Sequence, residues 1–553
     1  MTTVDVPASQ APGFVTHQVT NQVPPLVGFD PVACDPALGE ALHRERLGVE
    51  FGPLAALAGS AETREHARLA NENHPSLRTH DRYGNRVDEV EFHPSWHWLM
   101  STAVGAGLHA APWHEAPDSG AHLARAAKFY VWAQVEAGHC CPISMTYAAI
   151  PALRHAPELA AAYEPGLLSR VYDFGLRTPT GKAGLLAGMS MTEKQGGSDV
   201  RAGSTVATRT ADGSYRLVGH KWFTSAPMND LFLTLAQVDS GAGLSCFLLP
   251  RVLPDGSRNA IRLQRLKDKL GNRSNASAEL EYTGATGWLI GEEGRGVRTI
   301  IDMVSMTRLD CVLGSAAYQR AALSEAAWHA AHRSAFGARL VEAPAMASVL
   351  ADLGGECAAG TTLAMRLAAA VDRTHMGDRA EAALLRIALP AAKYYVCKRT
   401  PFVVAEALEC LGGNGYVEES GMPRLYREAP LMSIWEGSGN VTALDVLRAI
   451  VRDPSSVDSL LSELDITHGS DPRYDQAVVA LHGELAAPEP ARARRLAELI
   501  ALCLQASLLL RTTPGPVADT FLASRLGDDR GHTLGVLPAG TPVRYLVDRI
   551  TPH

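Results

Sequence analysis

A mainly α-helical protein with a β domain set in its middle is what this sequence predicts, on three observations. The chain is 46% hydrophobic but only 6% aromatic, and its long Ala-rich stretches, poor in β-branched residues, favour helix. Strand signals are confined to residues 185–290. Past Gly296 the helical texture returns and lasts to about Val451, where Asp453-Pro-Ser-Ser456 breaks it before a last helical stretch. At 553 residues the chain exceeds one ordinary core, and its length suggests about three or four domains.

Taken in order, residues 1–40 are rich in Pro, Val, Thr and Asn and read as an extended arm. Residues 41–184 form an N-terminal α domain, with helical runs such as Glu62–Ala70 and Ala121–Ala137 and a polar, turn-rich insert at Asn71–Phe92. Residues 185–290 are the middle β domain, with strands expected at Ser214–Val218, Leu231–Leu235, Ser245–Leu249 and Ile261–Leu266. The last of these alternates apolar and polar residues over most of its length, as a half-buried strand should. Gly213, Gly241 and the turn Pro254-Asp-Gly256 punctuate them. Residues 291–451 are a C-terminal α domain and 452–553 an additional helical module. A β domain between two helical ones leaves a cleft between unlike layers, a common cofactor position.

Composition excludes several roles. A net charge of −8 provides no global basic field for nucleic acid. The nine cysteines form no CxxC pair and no Cys/His cluster with zinc spacing, so no metal is expected, and buried thiols in a reducing cytoplasm are the reading. The first residues hold Asp5 and several prolines but no basic stretch ahead of an apolar core, unlike a signal peptide. The apolar run Leu499–Leu510 is too short to span a bilayer and reads as a buried or interface helix.

Three segments carry candidate chemistry. In Met189-Ser-Met-Thr-Glu-Lys-Gln-Gly-Gly-Ser-Asp-Val200, hydroxyls and glycines in one turn present side-chain oxygens and bare N–H groups together, which suits a phosphate-bearing ligand. It is neither a GxGxxG opening a βαβ unit nor a Walker A loop, and alone it reads as an ordinary glycine turn. In Gly219-His-Lys-Trp-Phe-Thr-Ser225, aromatic rings beside a hydroxyl either belong to the sheet core or stack on a planar heterocycle. In Ile434-Trp-Glu-Gly-Ser-Gly-Asn440, Glu436 lies between bulky apolar residues and a glycine-rich turn, a setting that can desolvate a carboxylate and raise its pKa toward general-base values. Gly412-Gly-Asn-Gly-Tyr416 and Arg333-Ser-Ala-Phe-Gly337 have ordinary explanations as a helix C-cap and a loop turn.

Together, and in this order, the segments resemble the acyl-CoA dehydrogenase superfamily. Thr192-Glu193 with Gly197-Ser-Asp-Val200, and Lys221-Trp-Phe-Thr224, look like its two flavin motifs, while Thr307-Arg308 is similar to its [TE]R segment. Arg333, Phe336 and Gly337 match an R-x-x-FG loop that reaches a neighbouring subunit's FAD, Gly412–Tyr416 matches GG-x-G[YF], and Trp435-Glu-Gly437 matches the [YW]EG that carries the base. A narrower resemblance, to the AidB subfamily linked to the bacterial alkylation response, covers nearly the whole chain through Thr192–Ser198, Lys267–Ala276, Ser433–Asn440, Phe92–Trp96 and Gln134–Ala137.

The resemblance implies an acyl-CoA dehydrogenase-like fold with a β-barrel-like middle domain, a homotetramer and bound FAD. It implies cofactor contacts at Met189, Met191, Thr192, Gly197, Ser198, Trp222, Phe223, Thr224, Arg333, Phe336, Gly412, Gly413, Ile434, Trp435, Gly437, Ser438 and Asn440. The implied reaction is α,β-dehydrogenation of an acyl-CoA-like thioester, with Glu436 taking the α proton. Two positions depart from the family: Glu409 replaces a usual Gln, and Lys194-Gln195 a usual Pro-Gly. The alternative reading is a DNA-binding protective protein with a largely structural flavin site, since the subfamily is associated with double-stranded DNA. Residues 451–553 oppose a broad basic patch, with ten arginines, no lysine and thirteen acids. Only folding could gather Arg492, Arg494, Arg495, Arg511, Arg525 and Arg530 on one face.

Overall fold

The computed structural model describes residues 16–553; the first fifteen residues of the predicted arm lie outside the described residues. The N-terminal helices are α1 Pro36–Arg44, α2 Pro53–Ala58, α3 Ala61–Glu72, α4 Pro94–Gly105, α5 Ala121–Ala133, α6 Cys140–Leu153 and α7 Pro157–Leu167. Their starts follow capping chemistry: the Asp35 side chain accepts from Leu38 N–H ahead of Pro36, and Ser60 accepts from Thr63 N–H. The polar insert is an antiparallel hairpin, β1 Ser76–His80 and β2 Arg86–Glu91. Arg86 ties it to the middle domain through the Leu263 carbonyl at 2.6 Å.

The middle domain contains β3 Ala187–Ser190, β4 Val206–Arg209, β5 Tyr215–Ser225, β6 Leu231–Val238, β7 Gly243–Pro250, β8 Ile261–Leu266 and β9 Ser277–Ile290. β6 pairs with β4 and β7, β4 with β5, β5 with β9, and β9 with β7. Five strands therefore close into a ring, the expected β-barrel-like form, and β3 and β8 extend the same sheet by pairing with β6 and β9. β8 keeps the predicted bounds, and Ile261 and Leu263 point inward while Arg262 and Gln264 face out. β9 has no counterpart among the expected strands, because Gly284 and Gly287 interrupt its apolar pattern.

Three long helices follow the barrel: α8 Gly296–His332, α9 Pro344–His375 and α10 Arg379–Cys410. α8 is separated from α9 by a two-residue-per-strand hairpin, β10 Ser334–Ala335 and β11 Ala338–Arg339. Arg308 of α8 and Arg386 of α10 share Asp445, and eleven residues further along α8 the Gln319 amide donates to Thr400 of α10, so α8 and α10 run in the same direction. Small residues let them approach closely: a Cβ on Gly360 of α9 would meet Gln319 and Val396 at 3.3 and 3.6 Å. Next come α11 Met422–Glu428 and α12 Gly439–Arg452, then α13 Pro454–Asp465, α14 Pro472–Ala486, α15 Ala493–Thr512, α16 Gly515–Arg525 and α17 Val543–Ile550.

Of the two readings of the apolar run Leu499–Leu510, a buried helix or an interface helix, burial within the chain is what the structure has. Leu496, Ile500, Leu504 and Leu508 are buried within the chain, where α15 packs on α9, α10 and α12. Arg366 of α9 pairs with Glu463 of α13, which also takes Arg511 of α15, a charged link between the last helices and the long ones. Among the described residues no helix is long and apolar enough to cross a membrane, and no cluster of His, Cys, Asp or Glu is arranged for a metal. All nine cysteines are free and buried.

Candidate active site

Glu436 lies in the short link between α11 and α12, with φ at +56°. A non-glycine residue in the left-handed region is uncommon and must be held by its surroundings. The hold comes from cations on the backbone. Arg308 Nε donates to the Glu436 carbonyl at 2.9 Å, and Lys393 Nζ donates to the Trp435 carbonyl at 2.8 Å and to that of Gly437. Arg308 is itself aimed by Asp445 at 2.7 Å, and Asp445 also takes Arg386. The Thr307 hydroxyl donates to Glu436 Oε2 at 2.8 Å. Burial pushes the carboxyl above its ordinary value; the Thr307 bond and the charges of Arg308 and Lys393 pull the other way and do not cancel it. A carboxylate with one fixed hydrogen bond and a raised pKa is equipped to accept a proton.

The second part of the site is the loop after β3 and the end of β5, joined by a 2.8 Å bond from Trp222 N–H to the Thr192 carbonyl. The β5–β9 register shifts between Lys221 and Thr224, placing a bulge at Trp222-Phe223. Such a bulge re-aims side chains: Phe223 is turned outward and Thr224 inward, beside the Ser190 hydroxyl. Glu193 points away from the loop's open side. It accepts from Lys221 Nζ at 2.9 Å, the Ser204 N–H at 2.7 Å and the Thr205 hydroxyl at 2.7 Å. Burial opposes its charge, but Lys221 and Thr205 hold its pKa well below the usual carboxylate range. Gln195, one of the two departures from the family pattern, joins the same anchor at 2.8 Å. Residues 194–199 are left exposed, and a Cβ on Gly197 would strike Thr192 Oγ1 at 2.6 Å, so this turn requires its glycine.

The Trp222 indole is ringed by cations, with the ammonium of Lys267 at 3.2 Å from its centroid, that of Lys194 at 5.6 Å and the Arg265 guanidinium at 5.9 Å. A flat aromatic among positive charges, beside an exposed glycine turn, fits a planar ring that carries anionic groups. The two parts of the site meet at α6. There α6 packs against β3, where Ala187 N–H donates to the Thr146 hydroxyl at 3.1 Å, and against α8, the helix that carries Thr307 and Arg308; burial pushes the Cys141 thiol on this helix up to about 12.

The structure brings Met189, Met191, Thr192, Gly197, Ser198, Trp222, Phe223 and Thr224 together at one end of the barrel. Ile434, Trp435, Gly437 and Ser438 lie on the link around Glu436, and Asn440 in the first turn of α12 that follows it. Arg333, Phe336, Gly412 and Gly413 do not join them. They follow the C-terminal ends of the co-directional α8 and α10, and α8 alone carries Arg333 about 40 Å from Thr307 at 1.5 Å per residue. At the tip of the β10–β11 hairpin Phe336 has φ +53° and Gly337 φ +84°, and Phe336 is fully exposed.

The six C-terminal arginines form no shared unpaired face. Arg492 and Arg495 bind Glu484, Arg511 binds Glu463, and Arg525 binds Asp352 and Glu356. Arg494 donates to Asn440, and Arg530 to the Gly527 carbonyl. Lys393 is the residue that inspection of motifs missed. Its signal was present, as a lone cation in the apolar run Ile387–Val396, since a buried lysine requires partners.

Comparison with known proteins matches residues 21–174 to the adaptive response protein AidB N-terminal domain. Residues 188–285 match the acyl-CoA dehydrogenase middle domain, and 294–451 the acyl-CoA dehydrogenase C-terminal domain. The chain is 48% identical to AidB of Escherichia coli (strain K12) over 93% of its own length and 95% of that protein's. It is 32% identical to acyl-CoA dehydrogenase family member 11 of Caenorhabditis elegans, over 76% of this chain and 70% of that one. The solved structure of Caenorhabditis elegans ACDH-11 in complex with C11-CoA superimposes with a TM-score of 0.82 at 28% identity, covering 97% of both chains.

Proposed function

The chain belongs to the acyl-CoA dehydrogenase family, in its AidB branch, and from that premise we propose that it is an FAD-dependent enzyme removing hydrogen from the α and β carbons of an acyl-CoA thioester. The observation that carries the reading is Glu436: a carboxylate of raised pKa, held at a left-handed backbone position by Arg308 and Lys393, with α6 packed between β3 and the α8 helix that carries Arg308. The residues that would hold FAD are Thr192, Gly197 and Ser198 on the glycine turn, Trp222 and Thr224 on the bulged strand, and Ser438 and Asn440 beyond the base. When bound, FAD supplies the hydride acceptor. Glu436 takes the α proton at its free carboxylate oxygen, while the Thr307 hydroxyl holds the other oxygen and fixes the carboxylate plane. The carbonyl bonds from Arg308 and Lys393 keep the link rigid as charge moves, so little reorganisation is required of it.

The purified protein is expected to be yellow, to release FAD on denaturation, and to lose flavin absorbance when a saturated acyl-CoA of suitable chain length is added without oxygen. A colourless protein that cannot be reconstituted with FAD would overturn the reading. Because Glu436 must be ionised to act and burial raises its pKa, the acid limb of the bleaching rate should lie above the ordinary glutamate value of about 4.3. The rate should rise with pH through that limb, and a limb at the ordinary value would remove the claim that burial tunes the base.

The site is completed by a second subunit, in a homotetramer. Support comes from Phe336, a bulky side chain in the left-handed region with no intrachain burial, at a hairpin tip too far from Glu436 to serve its own site. Phe336→Ala is expected to weaken FAD retention on the order of tenfold, as loss of an aromatic interface anchor does, and to leave the secondary structure intact. Unchanged FAD affinity and unchanged light scattering would count against the shared site. The likeness to the adaptive response protein AidB supports a place beside the alkylation response, in the cytoplasm. Direct DNA contact by the C-terminal arginines has less support, because four of the six are ion-paired within the chain.

A further inference from the structure

We infer that Arg494, in the C-terminal helical module, is a positioning residue of the cofactor site that fixes which way the Asn440 side-chain amide faces. The inference rests on the reading of Asn440 as a cofactor contact.

The backbone of the link around Glu436 is held by Lys393 and Arg308 through the carbonyls of residues 435–437. The exposed Asn440 side chain, in the first turn of α12, is held from elsewhere: its Oδ1 accepts from Arg494 Nε at 2.8 Å. A side-chain amide can present either an oxygen or an NH₂ group, and the two orientations are nearly equal in shape. A guanidinium only donates, so it can be met only by the oxygen. Arg494 therefore leaves Nδ2 as the free end of Asn440, a donor suited to the oxygens of a phosphoryl group or a polyol.

The aim of Arg494 is itself prepared by its neighbours. Glu484 gathers Arg492 at 2.9 Å and Arg495 at 2.8 Å, drawing the flanking arginines aside. Among the described residues, Arg494 is the member of this trio without a carboxylate partner. Lys398 packs against the same turn, where a Cβ on Gly439 would meet its Cε at 2.8 Å. The additional module is thereby part of the flavin site, and Arg494 is assigned to the cofactor in place of a DNA surface.

The test is FAD affinity, followed by flavin fluorescence as apo-protein is reconstituted, for wild type, Arg494→Met, Arg494→Lys, Asn440→Ala and the Arg494→Met/Asn440→Ala double variant. Arg494→Met should raise the FAD dissociation constant on the order of tenfold, the scale of a hydrogen bond to a charged group, with the melting of the apo-protein unchanged. Arg494→Lys should recover much of the loss, since an ammonium also demands the amide oxygen. The double variant should be no weaker than Asn440→Ala alone, because both changes act through one contact. Wild-type affinity in Arg494→Met, or losses that add in the double variant, would overturn the inference. A wild type that takes up no FAD would instead overturn the reading beneath it.

Discussion

Replacing Glu436 by Gln should leave FAD bound and slow acyl-CoA-driven bleaching on the order of 10²–10⁴-fold, the usual cost of losing a positioned general base. The substitution preserves the features that shape the link. The backbone carbonyl of residue 436 still accepts from Arg308, Lys393 still bridges the carbonyls of Trp435 and Gly437, and an amide oxygen still accepts from Thr307. What is lost is the negative charge and the capacity to take a proton. Stopped-flow absorbance under anaerobic conditions reads the effect directly. A rate within a factor of a few of wild type would assign the proton to another group.

The second large effect is expected at Glu193, which touches none of the reacting atoms. Lys221 and Glu193 are both almost fully buried, and Glu193 also anchors Ser204 and Thr205. Glu193→Ala would leave an ammonium in the barrel with only the carbonyls of Leu235 and Met191. Breaking one side of such a pair costs about 3–5 kcal/mol, which should appear as a markedly lower melting temperature and loss of FAD, since the loop of residues 194–199 hangs from this anchor. Replacing both residues by Met removes the unpaired charge and should recover much of the stability while the loop stays loose. A single variant that melts with wild type would show that the anchor is dispensable.

How far the site could be read in advance depended on how local each feature is. The alternation of Ile261–Leu266 is a property of six adjacent residues and appears as β8 with the same bounds. The long helices follow from composition, and the apolar run Leu499–Leu510 is buried, though by its own chain. β9 is hidden by its glycines, because a strand closing a barrel is fixed by pairing with β5, β7 and β8 as well as by its own pattern. Glu436 is visible as a motif, but the burial that raises its pKa and the bonds from Thr307, Arg308 and Lys393 that hold it are made by residues more than forty positions away along the chain. Glu193 reads as part of a flavin motif, and only folding reveals that its carboxylate faces Lys221. The left-handed backbone at Glu436 is tertiary in origin, whereas that at Phe336 belongs to the two-residue turn between β10 and β11.

The central claim is that Glu436 removes a proton from the α carbon of an acyl thioester, and it can be measured apart from redox chemistry. A thioester analogue with sulfur at its β position can give up the α proton but no hydride. Incubated in D₂O with the FAD-loaded wild type and followed by NMR, its α hydrogens should exchange for deuterium, and the rate should fall on the order of a hundredfold or more in Glu436→Gln. Equal exchange in the two proteins, or none in a wild type that demonstrably binds the analogue, would contradict the account.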